Sequence, residues 1–149
     1  MRTIKRQIVG TFIFSSDDYV LLGLSRKGGV YKDEWIVPGG GIEKGETMLQ
    51  AAIREAIEEV GIDLSGYKTE LLDHVSTGES KKTLIDSGEE VLVKMTFYDF
   101  VSRIDKNAKD IPVNCTDDLV VAEWHSRENL KRINIAGPTK KILEVLEYL

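Results

Sequence analysis

The stretch that decides the fold is GGIEKGETMLQAAIREAIEEVGI, residues 40–62, in which a glycine-rich turn runs directly into a helical pattern. Thr47 followed by Gln50 has the form of a capping box, which marks the start of a helix. Gly61 before apolar Ile62 is typical of a left-handed C-terminal cap. Between these signals, apolar residues recur at the helical period. The sequence therefore predicts a helix over residues 47–60. Its expected apolar face consists of Leu49, Ala52, Ile53, Ala56, Ile57 and Val60.

Three carboxylates, Glu55, Glu58 and Glu59, are crowded into five residues of this helix. At about 100° per residue, Glu55 and Glu59 lie only about 40° apart, at the edge of the apolar face, and Glu58 lies further towards solvent. A half-buried group of this kind either binds a cation or raises its own pKa values by mutual repulsion. Oxygen-rich ligands favour Mg²⁺ or Mn²⁺. The alternative is a solvated acidic face in which Arg54 and Glu58 form an ordinary ion pair.

Composition indicates a soluble globular protein. The chain has 149 residues, 42% hydrophobic and 30% charged, which suggests a single domain over residues 1–149. Its net charge of −5 argues against a general nucleic-acid or membrane surface. The single cysteine, Cys115, excludes an internal disulfide framework. We find neither a signal peptide nor an apolar run long enough to span a membrane, so we expect a cytoplasmic location.

Strand patterns surround the helix. Residues 6–14 and 19–24 predict a hairpin, and residues 35–37 a short strand that Pro38 and three glycines bring to a close. Residues 70–75 and 90–101 predict two longer strands around a polar arm, and residues 119–124 a last strand. A short helix is expected near residues 126–130, and Pro138 begins a final helix that we expect to run to the C-terminus. Strands and helices do not alternate regularly, which indicates an α+β domain with a mixed sheet.

The residues from Gly40 to Ile62 resemble the Nudix box in every fixed position. These positions are Gly40, Glu46, Arg54, Glu55, Ala56, Glu58, Glu59, Gly61 and Ile62. The Trp35-Ile-Val-Pro-Gly-Gly entry and the strand order extend the resemblance over nearly the whole chain. It implies the Nudix fold, an α/β/α sandwich around a mixed sheet. It also implies a hydrolase in which water attacks a phosphorus of a nucleoside diphosphate linked to another group.

The resemblance also implies roles for single residues. Glu55, Glu58 and Glu59 are expected to hold divalent cations, Mg²⁺ or also Mn²⁺, with the backbone carbonyl of Gly39 as a further ligand. Arg54, like Glu46, is expected to act behind the ligands by orienting the glutamates. The helical wheel agrees, because it places Arg54 away from Glu59. Gly40 is expected to let the backbone approach substrate phosphates closely.

A residue that assists the attacking water is harder to assign. Many family members carry an acid about six residues before an aromatic residue near the last strand, and Asp118 precedes Trp124 by that spacing. Asp117, Glu89 and Glu90 are rivals for this role. Aspartate departs from the more usual glutamate, and Asp117 and Asp118 can equally be a polar turn before a strand.

The sequence features that would identify the substrate are fewer than those that identify the family resemblance. No proline occurs between Pro38 and Pro112, so the family's ADP-ribose mark is absent, and the tyrosine typical of dinucleoside polyphosphate hydrolases is absent too. The layout most resembles compact nucleoside triphosphate pyrophosphohydrolases, including a subgroup that acts on pyrimidine deoxynucleotides. Nucleotide-sugar hydrolases are the alternative. A non-catalytic binding module of this fold is a further alternative, but it would be expected to have lost box glutamates.

Three residues outside the box are candidates for substrate contact. Arg26 can meet a phosphate, Trp35 can stack on a base or pack in the core, and Asn134 can read a base edge with its amide. Strand alternation places Phe97 on one sheet face and Tyr98 and Phe100 on the other. We expect a small-molecule nucleotide substrate and no nucleic-acid partner. The long apolar strand and the polar arm permit a homodimer.

Overall fold

The first strand, β1 (Arg2–Phe14), is the centre of the sheet in the computed structural model, which describes residues 1–25, 33–115 and 119–149. It pairs in parallel with β6 along its whole length, from Arg2 opposite Val91 to Phe14 opposite Arg103. It also pairs with β2 and β4 in antiparallel fashion. Parallel and antiparallel pairs therefore meet at one strand, and the sheet is mixed as predicted.

Over the residues that the structure describes, the sheet contains seven strands in the order β3-β2-β1-β6-β5, with β4 paired to β1 and β7 paired to β2. The remaining strands are β2 (Val20–Ser25), β3 (Trp35–Ile36), β4 (Gly39–Gly41), β5 (Thr69–Thr83), β6 (Glu90–Arg103) and β7 (Leu119–His125). The helices are α1 (Met48–Val60), α2 (Arg127–Leu130) and α3 (Gly137–Val145), and two 3₁₀ turns cover Leu64–Gly66 and Ala108–Asp110.

Helices cover both faces of the sheet. On one face, Phe12 and Phe14 of β1 pack with Leu130 of α2 and with Ile142 and Leu143 of α3. On the other face, alternate residues of β1 pack against α1, whose Ala51, Ala52, Ala56 and Val60 are buried. This confirms the α/β/α sandwich, and it follows from the period-two alternation of apolar residues on both faces of β1.

The ends of α1 are as predicted. The Oγ1 atom of Thr47 accepts a hydrogen bond from the Gln50 amide, and the Gln50 side chain accepts one from the Thr47 amide. Gly61 closes the helix with φ 71°. The predicted apolar face is wrong in part, because Leu49 and Ile57 are exposed whereas Glu59 is buried. The helix packs through its alanines, whose small side chains let it approach the sheet closely.

Two segments differ from their predicted conformations. The three glycines form strand β4, where Gly39, Gly40 and Gly41 pair with Gly10, Val9 and Ile8, and we call them the glycine segment. The predicted polar arm is mostly strand: β5 continues to Thr83 and pairs with β6 as a long hairpin. Backbone hydrogen bonds to a neighbouring strand supply the order that apolar side chains do not.

The C-terminal helix is shorter than predicted. Pro138 lies in its first turn, as expected, but α3 ends at Val145, and Glu147 has a left-handed φ of 63°. This turn brings Tyr148 back onto the sheet, where its ring stacks on Phe14 at 4.4 Å between centroids. Within the described residues, no helix combines the length and apolar character needed to cross a membrane.

Replacing glycine by alanine is expected to lower stability in the glycine segment but not at an open position elsewhere. A Cβ atom at Gly39 would lie 2.2 Å from the carbonyl oxygen of Val9, a backbone atom that cannot move without breaking the β1–β4 pairing. We expect Gly39→Ala to lower the free energy of unfolding by roughly 1–3 kcal/mol. A Cβ atom at Gly66 would have no atom within 4 Å. Gly66→Ala should therefore change stability by under about 0.5 kcal/mol. Urea denaturation of both variants checks this, and equal stabilities would contradict it.

Candidate active site

The glycine segment lies directly against the acidic side of α1. The amide of Gly39 donates a hydrogen bond of 2.6 Å to Oε1 of Glu59. A Cβ atom on Gly40 would lie only 2.4 Å from Oε1 of Glu55. The carboxylates of Glu55 and Glu59 therefore contact neighbouring residues of one strand. These are the two glutamates that the helical wheel placed closest together.

Arg54 links the other acidic groups. Its guanidinium donates two hydrogen bonds to the Glu46 carboxylate, at 2.7 and 3.0 Å, and one to the Gly41 carbonyl at 3.0 Å. It also reaches Glu55 at 2.9 Å and Glu58 at 3.1 Å. Arg54 therefore fixes the carboxylates of α1 relative to the preceding turn. This geometry agrees with the expected orienting role, which stays a prediction.

The electrostatic effect of these bonds is large. Hydrogen bonding to Arg54 lowers the pKa of the Glu46 carboxyl to about 2, so Glu46 stays ionised at every physiological pH. The same bond raises the pKa of the Arg54 guanidinium above its ordinary value. Arg54 thus supplies permanent positive charge among the glutamates, which reduces their mutual repulsion.

The donor set suits a hard divalent cation. The carboxylates of Glu55 and Glu59, which contact Gly40 and Gly39 respectively, offer the oxygen ligands that Mg²⁺ and Mn²⁺ prefer. Glu58 is more exposed, as predicted, and its side chain turns to Arg54. Among residues 1–25, 33–115 and 119–149, no three acidic, His or Cys side chains already surround one point. Glu58 would therefore have to give up its ion pair with Arg54 before it could bind a cation together with Glu55 and Glu59.

The predicted substrate contacts fall in different places. Trp35 and Asn134 are brought together, because the Trp35 amide donates to the Asn134 carbonyl at 2.8 Å. The Asn134 residue is exposed. Trp35 is half-buried, packs against the core of the α2–α3 side, and meets the ring of His125 edge-on at 4.5 Å. Arg26, Asp117 and Asp118 lie outside the described residues.

The rivals Glu89 and Glu90 lie far from the acidic helix. Glu89 forms an ion pair with Arg2, at the start of β1. The glycine segment pairs with residues 8–10 of the same strand. Eight residues of strand separate Arg2 from Gly10, or about 26 Å at 3.3 Å per residue. Neither glutamate is therefore placed to assist chemistry at Glu55 and Glu59.

A cavity of about 210 Å³ opens beside the glycine segment and contains a residue that sequence reasoning missed. Asp99 lines it together with Gly10, Gly39 and Phe97. The predicted separation of aromatic residues is confirmed, because Phe97 faces this cavity whereas Tyr98 and Phe100 pack towards α1. A signal was present in the sequence: Asp99 is a charged residue in the middle of the apolar run Phe97–Val101.

Asp99 is buried, with 8% of the residue exposed. This burial raises the pKa of its carboxyl to about 6. Arg6 is a second missed residue, and its exposed guanidinium lies over Gly41, 2.5 Å from the position of a Cβ atom there. The glycine segment thus has two carboxylates on one side, a cation at its end and a cavity nearby.

Comparison with known proteins identifies the family of this chain. A family model described as the NUDIX domain matches residues 4–146. The chain belongs to the Nudix family, and it is a Nudix hydrolase. It is 28% identical over 143 residues to a protein named nucleoside triphosphatase NudI from Escherichia coli O81, covering 95% of this chain and 96% of that one. It is also 28% identical over 136 residues to an RNA pyrophosphohydrolase from a Wolbachia of Brugia malayi, covering 91% and 83%.

Solved structures share the fold. The E. coli dihydroneopterin triphosphate pyrophosphohydrolase superposes with a TM-score of 0.72 at 21% identity, over 93% of this chain and 92% of that one. A bifunctional NMN adenylyltransferase/ADP ribose pyrophosphatase from Francisella tularensis, complexed with AMP and a Mn ion, gives 0.71 at 22% identity. That match covers 96% of this chain but only 41% of the larger protein. These likenesses confirm the predicted fold.

The buried carboxyl of Asp99 predicts a pH dependence of stability. Its pKa is about 6 in the folded protein against an ordinary 3.8, so the native state binds the proton more tightly than the unfolded state. Ionisation therefore lowers the free energy of unfolding as pH rises from about 4 to about 6. We expect Asp99→Asn to be more stable than wild type by roughly 1–3 kcal/mol at pH 7.5, and similar to it at pH 3.5.

Urea denaturation at the two pH values measures this difference. Asp86→Asn makes the same chemical change at an exposed position in the β5–β6 turn and serves as the control. An Asp99→Asn variant that is destabilised equally at both pH values would contradict the proposed cost of burying this carboxylate.

Proposed function

We propose that this Nudix hydrolase cleaves a nucleoside triphosphate to the nucleoside monophosphate and pyrophosphate. One observation carries the proposal: the carboxylates of Glu55 and Glu59 lie on the glycine segment, next to a cavity with the dimensions of one heterocycle. The phosphates of a nucleotide can then lie at the acidic helix while its base enters the cavity. The relative named nucleoside triphosphatase NudI, which aligns over 95% of this chain, supports the substrate class.

The proposed reaction is a substitution at phosphorus. Water forms a new bond to the α-phosphorus, the bond from that phosphorus to the bridging oxygen breaks, and pyrophosphate leaves with the bridging oxygen. Glu55, Glu58 and Glu59 would hold Mg²⁺, or Mn²⁺ in its place, and the carbonyl of Gly39 is a further expected ligand. When bound there, the cation would supply positive charge to offset the phosphates and would lower the pKa of the attacking water.

The protein itself contributes position and charge balance. Arg54 holds Glu46, Glu55 and Glu58 in a fixed arrangement, so the acidic side chains need little reorganisation when substrate arrives. Gly40 lacks a side chain where the backbone passes closest to Glu55, which leaves the segment open to phosphate oxygens. Asp118 remains our proposed residue for assisting the attacking water.

Neutralisation of Glu59 tests the acidic site. We expect wild type to release pyrophosphate from nucleoside triphosphates in the presence of Mg²⁺, and Glu59→Gln to be slower by about 100-fold or more, since even residues behind a metal ligand account for 10- to 100-fold. The side-chain oxygen of the introduced glutamine can still accept from the Gly39 amide, so the fold should survive. Mn²⁺ binding followed by electron paramagnetic resonance gives a second readout and should weaken in parallel.

Exposed Glu144 of α3 provides the matched control, and Glu144→Gln should behave as wild type. Unchanged pyrophosphate release by Glu59→Gln would remove Glu59 from the site. A panel of NTPs, dNTPs including pyrimidine deoxynucleotides, ADP-ribose and nucleotide sugars tests the substrate class. Hydrolysis confined to nucleotide sugars would replace the triphosphate proposal, and turnover of none of these compounds would contradict the proposed substrate class.

The proposal includes a homodimer formed through β5. This strand is at the edge of the sheet, and within the described residues its ladder partner is β6 alone. Its first half carries exposed Glu70 and Asp73, and its second half ends with exposed Lys81 and Lys82, which follow the acidic Glu79. Antiparallel pairing of two copies would bring opposite charges together.

Disruption of this edge tests the dimer. Val75, near the middle of β5, is 56% exposed. A charged side chain there would lie close to its counterpart near the two-fold axis of such an interface. We expect sedimentation velocity to show a dimer for wild type and a shift to monomer for Val75→Glu, with Ser80→Thr as a conservative control. A monomeric wild type at micromolar concentration would contradict the dimer without affecting the catalytic proposal.

A further inference from the structure

The cavity beside the glycine segment contains a buried carboxylate to which the roles above give no part. Gly10 and Asp99 are register partners on the parallel strands β1 and β6, as are Ile8 and Phe97. Register partners of parallel strands point to the same face, so all four residues face the cavity together. A Cβ atom on Gly10 would lie 3.2 Å from Oδ1 of Asp99. The missing side chain of Gly10 leaves the carboxylate open to the cavity.

The carboxylate of Asp99 receives no hydrogen bond from any of the described residues, although 92% of the residue is removed from solvent. A largely buried charge without protein donors is destabilising, because the carboxylate loses part of its hydration and gains no protein hydrogen bond in exchange. Burial is also the cause of its raised pKa. Such a group is expected where a ligand brings the missing donors.

The residues that line the cavity indicate what kind of ligand would bind there. Val37, Met95, Phe97 and Pro138 provide apolar surfaces, and the polar side chains besides Asp99 are the hydroxyl-bearing Ser76 and Thr139. The volume of about 210 Å³ is below the 300–1,000 Å³ of sites that enclose a whole drug-sized molecule. It suits one flat heterocycle whose edge meets Asp99, with the remainder of the ligand leading out past Gly39.

We propose that Asp99 is a specificity-determining residue that reads a guanine-type base edge, in which a ring N–H and an exocyclic N–H lie side by side. An ionised carboxylate has two acceptor oxygens and no donor, so its complement is a pair of adjacent donors. Guanine presents this pair at its ring N–H and exocyclic amine. This inference rests on the proposed function, because it takes the ligand to be the base of the substrate.

Other bases match the carboxylate less well. Hypoxanthine keeps the ring N–H but lacks the amine, and uracil and thymine place carbonyl oxygens on both sides of their N–H. A carbonyl oxygen next to a carboxylate oxygen is repulsive. Asp99 therefore favours a guanine-type base over the pyrimidine deoxynucleotides that the sequence layout suggested.

GTP and ITP are the sharpest probes, since they differ only in the exocyclic amine. A hydrogen bond to a charged acceptor should give wild type about 10- to 100-fold higher kcat/KM for GTP than for ITP. Calorimetric binding of the products GMP and IMP should show the same order without any turnover. Equal affinities for GMP and IMP would overturn the inference even if triphosphate hydrolysis is observed.

Asp99→Asn supplies the reciprocal test. The amide offers one acceptor and one donor, which complements a ring N–H beside a carbonyl, as in xanthine. We expect this variant to lose most of its preference for GTP over ITP and to gain activity on XTP relative to wild type. A uniform loss on GTP, ITP and XTP would mean that Asp99 is structural, and would overturn the proposal.

The exposed Asp86→Asn change is the control and should keep the wild-type order of substrates. The two proposals fail in different ways. Binding of GMP over IMP with no triphosphate hydrolysis would contradict the proposed reaction but uphold the base reader. Hydrolysis of triphosphates without discrimination between GTP and ITP would uphold the reaction and contradict the role of Asp99.

Discussion

The close contact between the glycine segment and α1 is the constraint on which the rest of the structure depends. The hydrogen bond from the Gly39 amide to Glu59 joins the sheet to the acidic helix through a buried carboxylate. The contact requires glycine at both positions, because a side chain at Gly39 would clash with the β1 backbone and one at Gly40 would clash with Glu55. The small buried alanines of α1, which face the sheet, allow this close approach. Fold stability and the position of the acidic carboxylates therefore depend on the same few atoms.

The acidic side chains of α1 and the carboxylate in the cavity differ in whether a positive charge lies beside them. At the helix, Arg54 compensates Glu46, Glu55 and Glu58 through short hydrogen bonds, so a dense acidic cluster can exist in the folded protein. In the cavity, Asp99 is buried and, within the described residues, receives no such compensation. The proposed cation and phosphate site thus has compensated charge, whereas the proposed base site depends on a carboxylate that a ligand would have to supply with hydrogen-bond donors.

Features encoded by neighbouring residues could be predicted. The capping box at Thr47 and Gln50 and the left-handed Gly61 satisfy backbone groups within one turn of the helix, so a short stretch of sequence is sufficient to identify them. The closeness of Glu55 and Glu59 could also be predicted, since helical spacing alone sets the angle between them. The predicted burial of Leu49 and Ile57 was wrong, because the packing partner of α1 is set by β1 and β6, which are distant in sequence. The length of β5 was missed for the same reason: its order comes from pairing with β6.

The sequence by itself determined the helix, its acidic cluster and the hydrolase family, since a local motif with fixed spacing carries all three. Only the tertiary structure decided that Gly39 binds Glu59 and that Gly10 and Asp99 form the floor of one cavity. These pairs are separated by 20 and 89 residues, and strand register and helix packing alone bring them together. The acidic motif therefore lies within one segment of the chain, whereas the cavity exists only in the assembled sheet.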